Sequence, residues 1–355
     1  MSINAVLNKP FVSWMEADGP DSDIVITSRV RLARNLTRLP FPHLLRDDDT
    51  AQQIIDQIQT ALGATAGLNL TLSGDLITLD RQILLEKHLI SPEHAEKASH
   101  FRAIITNDQG SLSIMVNEED HLRIQCLLSG LQLNQAYKNA DDVDNALEKG
   151  LEYAFDERRG YLTACPTNVG TGMRASVMLH LPAIALTNQQ GHIFGSLAQL
   201  GLTVRGLYGE GTQALGNFFQ ISNQITLGQT EEDILHNLWT IALHIVEQER
   251  RVRETLMHDM KYQIEDRVWR SFGIVTNARI ITSQEALSLL SDVRLGVEMN
   301  ILTPVPARTL NELIVAIRPA HLQKAGGHEM DTMERDLARA QVIKDRLLNL
   351  KQEGL

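Results

Sequence analysis

Four short segments concentrate five arginines in a chain that is otherwise acidic. Ser28-Arg29-Val30-Arg31-Leu32 sets two of them at alternate positions, so on an extended strand both point to one face. Arg123 follows a run of carboxylates. Arg174 closes a turn-rich segment and leads into Ala175-Ser176-Val177-Met178, and Arg205 opens Arg205-Gly206-Leu207-Tyr208-Gly209-Glu210. A guanidinium stays charged at any working pH and grips phosphate oxygens through paired N–H bonds, so a ring of these arginines suits a nucleoside triphosphate. Spacing along the chain does not by itself make them converge.

The carboxylates before Arg123 lie in Asn117-Glu118-Glu119-Asp120. Acids in a turn are ordinarily just solvated. Glu119 acquires a chemical role beside a substrate whose nucleophile must lose a proton. A guanidinium is such a substrate: its pKa is above about 12 and its protonated form has no free lone pair. A second carboxylate, Glu210, would hold the remaining nitrogens and fix the line of attack on a γ-phosphate. Cys165 sits at a strand end before Pro166-Thr167-Asn168-Val169-Gly170-Thr171-Gly172. The Thr167 hydroxyl and nearby arginines would favour a thiolate there, suited to a cationic partner. Gly170 and Gly172 would let backbone approach phosphates closely, although the spacing is neither a Walker A nor a Rossmann pattern. Cys126 alternates with Ile124 and Leu128 and reads as core.

The elements that must position these groups are legible in outline. At 355 residues, with 43% hydrophobic and 22% charged residues, the chain suits two globular domains. Its net charge of −11 argues against a general affinity for nucleic acid or an anionic membrane. Two cysteines cannot form a disulfide framework, the first twenty residues lack a signal-peptide pattern, and Val177 to Leu186 is too short to span a bilayer. A cytoplasmic location is expected. Residues 75–99 read as helical, and the alternating segments 111–116 and 122–126 read as adjacent strands joined by the acidic turn. Residues 161–164, 202–207 and 218–226 are further strand candidates. Strands outnumber possible crossover helices, which predicts an α+β fold: an antiparallel sheet with helices on one face. From residue 231 apolar positions fall at helical spacing for one long helix, and Thr282-Ser283-Gln284-Glu285 and Thr309-Leu310-Asn311-Glu312 match capping boxes in a C-terminal all-helical domain.

Taken together, Val25 to Arg31, Asn117 to Arg123, Cys165 to Gly172 with Arg174, and Arg205 to Glu210 stand in the order seen in phosphagen (guanidino) kinases. The chain resembles that family over roughly residues 20–250, and the cysteine segment matches its signature. The resemblance implies an antiparallel sheet flanked by helices, with ATP as phosphoryl donor. Ser28 to Leu32, Arg123, Arg174 to Met178, and Arg205 with Gly206, Leu207, Tyr208 and Gly209 would then form the ATP site. His88 would take the adenine side. Glu119 would be the base, Glu210 the second guanidinium clamp and Cys165 an electrostatic contact. Mg2+ would be held mostly by nucleotide oxygens and water, with no dedicated protein cage.

The arrangement is more similar to the bacterial protein arginine kinases. Phosphagen kinases carry a helical domain ahead of the SRVR-like motif, whereas 27 residues precede Ser28 here and a helical region follows the catalytic stretch. This predicts domains at 20–253 and 254–355, and an approach open to an arginine on a polypeptide. A kinase for free arginine and an inactive phosphoarginine-binding adaptor are the alternatives. The first is disfavoured by that arrangement, the second by retention of the acids, the cysteine and all five arginines. Arg335-Asp336-Leu337-Ala338-Arg339-Ala340 resembles that family's allosteric phosphoarginine pocket. On a helix Arg335 and Arg339 share a face and would grip one phosphate, with Asp336 receiving the guanidinium. The resemblance further implies an activator protein, a heat-shock repressor and a Clp unfoldase-protease as partners, and a homodimer.

Overall fold

The computed structural model describes residues 3–63, 67–96, 99–206, 215–302 and 305–348. Period-two segments become strands: β1 (Val25–Arg34), β2 (Leu68–Leu72), β3 (Ala103–Asn107), β4 (Leu112–Val116) and β5 (Leu122–Ser129) in the first half. A small hairpin, β6 (Phe155–Asp156) and β7 (Gly160–Tyr161), precedes β8 (Met173–His180), β9 (Leu202–Gly206) and β10 (Phe218–Asn223). Eight of these form one sheet in the order β2-β3-β4-β5-β1-β8-β10-β9. Every pairing in it is antiparallel.

The helices of the first part are α1 (Asn4–Asn8), α2 (Asp48–Leu62), α3 (Thr78–Glu86), α4 (Pro92–Glu96), α5 (Leu133–Glu148), α6 (Pro182–Leu186) and α7 (Gln190–Leu197). α8 (Glu231–Asp259), α9 (Lys261–Asn277), α10 (Ser283–Glu298), α11 (Ala307–Ala316), α12 (Pro319–Gly326) and α13 (Thr332–Leu348) follow. Alternation along β1 decides what each sheet face does. Val30 and Leu32 are fully buried in the core, where α5 packs on β1 and β5. Ser28 points the same way: its hydroxyl donates to the Gly130 carbonyl at 2.8 Å and accepts from Gln132 N, just ahead of α5. Arg29 and Arg31 occupy the opposite face. That face is not bare, because the α3–α4 connection lies over it and Gln125 Nε2 donates to the His88 and Leu89 carbonyls. The arginine face is thus overlaid by the α3–α4 connection, while α5 packs on the other.

Several local expectations change for identifiable reasons. The helix expected over 75–99 is divided: α3 stops at Glu86, His88 adopts φ 62°, and Pro92 opens α4. A left-handed residue cannot continue an α-helix. The strand candidate 161–164 shortens to Gly160–Tyr161, since the Leu162 carbonyl and Ala164 N–H are taken by the side chains of Asn35 and Asp120. β10 ends at Asn223, whose amide bonds to Ala175 N and Met173 O. Thr282 caps α10 through Glu285 N as expected. Thr309 does not cap α11, which begins two residues earlier behind Pro306. An unforeseen capping box at Thr230 and Asp233 starts α8.

α8 runs unbroken across the expected 253/254 boundary, and the helices beyond it pack back on the sheet region. Arg294 donates to the Ser22 carbonyl at 2.9 Å and Asn311 to that of Met15 at 3.2 Å. The Glu86 carboxylate accepts from Ala320 N, His321 N and His321 Nδ1 at 2.8, 3.1 and 2.6 Å, capping the start of α12. Anionic groups are favoured at helix N-termini by the orphan N–H groups and the dipole. Among the described residues no helix is long and apolar enough to cross a membrane.

Candidate active site

Strands β5, β1, β8, β10 and β9 turn side chains of one sheet face into one cavity of about 1330 Å³. β1 contributes Arg29 and Arg31, β5 Arg123, β8 Arg174 and Met178, and β9 Arg205 with Gly206. Register makes the convergence: Arg31 stands opposite Arg174, Arg29 opposite Ser176, and Arg205 opposite Gln220. Arg29 is steadied by neutral acceptors, Ser176 Oγ at 3.4 Å and Gln220 Oε1 at 2.9 Å. These orient the guanidinium without cancelling its charge. Burial, then the charges of Arg123 and Arg174, lower the Arg29 pKa to about 10. Burial, with Arg29, Arg123 and Arg174, holds Arg31 well below its ordinary value. Mutually repelling, half-buried cations of this kind are a preformed receptor for a polyanion.

His88 lines the same cavity, its ring edge-on to Trp14 at 5.6 Å. Burial, then the charges of Arg318 and Arg29, push its pKa down to about 3. At neutral pH it presents an uncharged ring, suited to a flat base.

The acidic turn divides its labour. Glu118 is buried, paired with Arg123 Nη1 at 2.8 and 2.5 Å and hydrogen-bonded by Ser91 Oγ. Burial pushes its carboxyl up, but the Arg123 charge and the Ser91 hydroxyl outweigh that and hold it below the ordinary value. Asp120 Oδ1 accepts from Asn35 Nδ2 at 2.6 Å and Ala164 N at 2.7 Å, tying the turn to the segment before Cys165. Between them Glu119 remains half-buried, facing a second cleft of about 690 Å³ with Ala164, Glu93, Asp47 and Asp48. Burial and the Asp120 charge raise the Glu119 pKa. Glu93 and Glu118 line both clefts, so a cation-attracting space adjoins the anion-attracting one.

Cys165 is partly exposed, with Sγ 3.0 Å from Thr167 Oγ1. Cys126 is fully buried, its thiol pushed up to about 12 by burial, in keeping with a core role. The two signature glycines work differently from expectation. A Cβ on Gly170 (φ 115°) would meet the Thr226 carbonyl oxygen at 2.8 Å, and one on Gly172 (φ 65°) that of Ala33 at 2.6 Å. They admit protein backbone, not phosphate, and neither lines the arginine cavity. Thr226 Oγ1 completes this fixture, bonding the Thr167 and Val169 carbonyls.

The remaining expected residues sort by strand face. Ser28, Val30, Leu32, Ala175 and Val177 are buried, away from the arginine cavity, whereas Ser176 and Met178 share the arginine face. Leu207, Tyr208, Gly209 and Glu210 lie outside the described residues. On α13 both arginines of the expected grip have protein partners. Arg339 is buried and donates to the Ile317 and Ile281 carbonyls at 3.0 and 2.9 Å and to Asp336. Arg335 instead donates to Met330 O at 3.0 Å and Thr332 Oγ1 at 3.2 Å, while Leu337 is exposed, Ala338 half-buried and Ala340 buried. Helical spacing put the two arginines on one side, but neighbouring carbonyls claim them separately. Sequence reading missed Asn35, Glu118 and Arg318. Glu118 stood in the acidic turn already; the other two gave no local signal.

An eight-stranded antiparallel sheet presenting arginines beside an acidic turn is the architecture of guanidino kinases. Residues 49–252 match the family described as ATP:guanido phosphotransferase, C-terminal catalytic domain, and residues 261–354 match the protein-arginine kinase McsB C-terminal domain. A lombricine kinase crystal structure superposes with TM-score 0.60 at 24% identity, covering 69% of this chain and 72% of that one, a likeness of fold alone. The duplicated taurocyamine kinase of Schistosoma mansoni gives TM-score 0.59 at 29% identity, over 69% of this chain and 35% of that one. Over 98% of both chains the sequence is 56% identical to a protein-arginine kinase of Syntrophomonas wolfei; a Moorella thermoacetica protein-arginine kinase is 52% identical over 98% of this chain and 99% of its own. The chain belongs to the protein-arginine kinase family and is an ATP-dependent kinase.

Proposed function

We propose that the chain transfers the γ-phosphoryl of ATP to a terminal guanidinium nitrogen of arginine side chains in proteins, giving phosphoarginine and ADP. The observation that carries this reading is the junction of the two clefts, with half-buried arginines on one side and Glu119 on the other. Arg29, Arg31, Arg123, Arg174 and Arg205 hold the phosphates in line, and His88 takes the base. Mg2+ would be carried by nucleotide oxygens and water, and would supply charge neutralisation at the phosphoryl oxygens. Glu119 accepts the guanidinium proton as the nitrogen attacks. Cys165 and Glu210 hold the other nitrogens. Residues 20–253 form the catalytic part and 254–355 the helical part, which also carries the phosphoarginine-responsive segment 335–340 and a dimer contact. The second cleft sets Asp47, Asp48, Glu93, Glu118 and Glu119 against Arg46 and Arg102, an acidic excess that supports a cationic acceptor.

An activator, a heat-shock repressor and a Clp unfoldase-protease are the proposed partners, with phosphoarginine as a degradation mark. Incubation of the chain with ATP and casein is expected to add phosphate by intact mass, and the adduct to be lost in acid as a P–N bond requires. Phosphorylation of free arginine alone, or an acid-stable adduct, would contradict the reading.

A pH profile gives an independent check. A general base works deprotonated, so kcat/KM rises as pH passes through the pKa of Glu119. Because burial and Asp120 raise that pKa, the acid limb is expected above the ordinary carboxylate range. A rate that stays level as pH falls through that range would remove Glu119 from the role.

A further inference from the structure

The arginine cavity is not closed by the catalytic part alone. α12 and the residues flanking it form one wall, with Arg318, Gln323 and Lys324 among the lining side chains. We infer that Arg318, supplied by the helical region, is a nucleotide-binding residue that holds the nucleoside end of ATP. This rests on reading the arginine cavity as the ATP site.

Three observations carry it. First, position: Glu86 lies two residues before His88, Ala320 two residues after Arg318, and the Glu86–Ala320 hydrogen bond of 2.8 Å brings those two stretches together. Arg318 therefore stands on the His88 side of the cavity. Second, electrostatic order: after burial, Arg318 acts most strongly on His88, ahead of Arg29, whereas the cations acting on Arg31 are Arg29, Arg123 and Arg174. Arg318 is thus grouped with His88, and is not among the cations that act on Arg31. It belongs to the His88 end of the cavity, apart from the arginines read as phosphate ligands. Third, fixation: Arg318 N donates to Val315 O at 3.0 Å, Leu322 N donates to Arg318 O at 3.0 Å, and Arg339 Nε holds the adjoining Ile317 carbonyl at 3.0 Å. Its backbone is set in place by α11, α12 and α13, so only the side chain is left to order on binding.

A guanidinium at that end, beside a neutral imidazole, can stack on a purine face or donate to its ring nitrogens and to ribose oxygens. It does not touch the reacting atoms. Such a contact is equal in ground state and transition state, so its loss raises KM and leaves kcat alone.

The test uses the full chain with casein as acceptor. In Arg318→Ala, KM for ATP and the calorimetric Kd for ADP are expected to rise about tenfold, with kcat within about twofold of the parent. Inhibition by inorganic tripolyphosphate, which has no nucleoside, is expected to be unchanged. Arg318→Gln, of similar length, should show the same pattern and serves if the alanine variant melts early. Unchanged KM and Kd in both variants would overturn the inference. So would a fall in kcat at constant KM, or an equal weakening of tripolyphosphate, which would make Arg318 a phosphate ligand. Arg31→Ala is the control: it should weaken ADP and tripolyphosphate alike. If Arg31→Ala is also silent, the cavity is not the ATP site; if only Arg318 is silent, the inference alone fails.

Discussion

In Glu119→Gln, kcat for phosphoryl transfer is expected to fall by about 10²–10⁴-fold while ADP still binds. The substitution keeps shape and size and removes only the ability to take a proton. Glu119 is the carboxylate of the turn that remains half-buried at the second cleft, with Glu118 bonded to Arg123 and Asp120 to Asn35 and Ala164. Its neighbours are thus committed to holding the turn. Burial, then the Asp120 charge, raises its pKa, which makes it a stronger base than a solvated carboxylate. Single-turnover rates with casein and calorimetric ADP binding separate chemistry from affinity. A glutamine variant that retains the parent kcat would eliminate general-base transfer through this residue.

Arg123→Ala should combine two losses. Removing a charged donor from a phosphoryl-transfer site lowers kcat/KM by roughly 10³-fold. It also leaves Glu118 buried without its cation. Breaking a buried ion pair from one side costs ~3–5 kcal/mol, and the partial exposure of Arg123 places this case at the low end. The sign with pH follows from Glu118: its pKa is held low in the folded state, so the pair stabilises the fold above the ordinary carboxylate range. That stability is lost as pH falls through the lowered value. Arg123→Ala should therefore melt earlier near neutral pH, with the gap to the parent closing in acid. Adding Glu118→Gln should restore much of the melting temperature and none of the activity. Recovery of activity in the double variant would show that Arg123 serves the fold and not the phosphates.

Much of this was readable from local pattern. Alternation in Ser28 to Leu32 gave β1 and the common direction of Arg29 and Arg31, and the two alternating runs around the acidic turn gave β4 and β5. The same period-two rule, pressed further, sends Ser28, Val30 and Leu32 into the core, so a contiguous motif is not a contiguous surface. What was not legible depends on distant partners. Asn35 meets Asp120 across 85 positions, and Glu86 meets Ala320 across 234. Ile317-Arg318-Pro319 reads only as a helix break. On α13, spacing correctly put Arg335 and Arg339 on a helix, but carbonyls of Ile281 and Ile317 decide where Arg339 points.

The Glu86 cap on α12 bears on how this chain can be altered by recombination. Family matches break between residues 252 and 261, which invites treating the two parts as interchangeable cassettes. The cap crosses that seam and joins the end of α3 to a wall of the nucleotide cavity. A chimaera receiving a relative's helical part would also receive a new wall for the cavity, and its donor affinity would change with no substitution in any strand. A graft that keeps Glu86 keeps the carboxylate that receives the first N–H groups of α12.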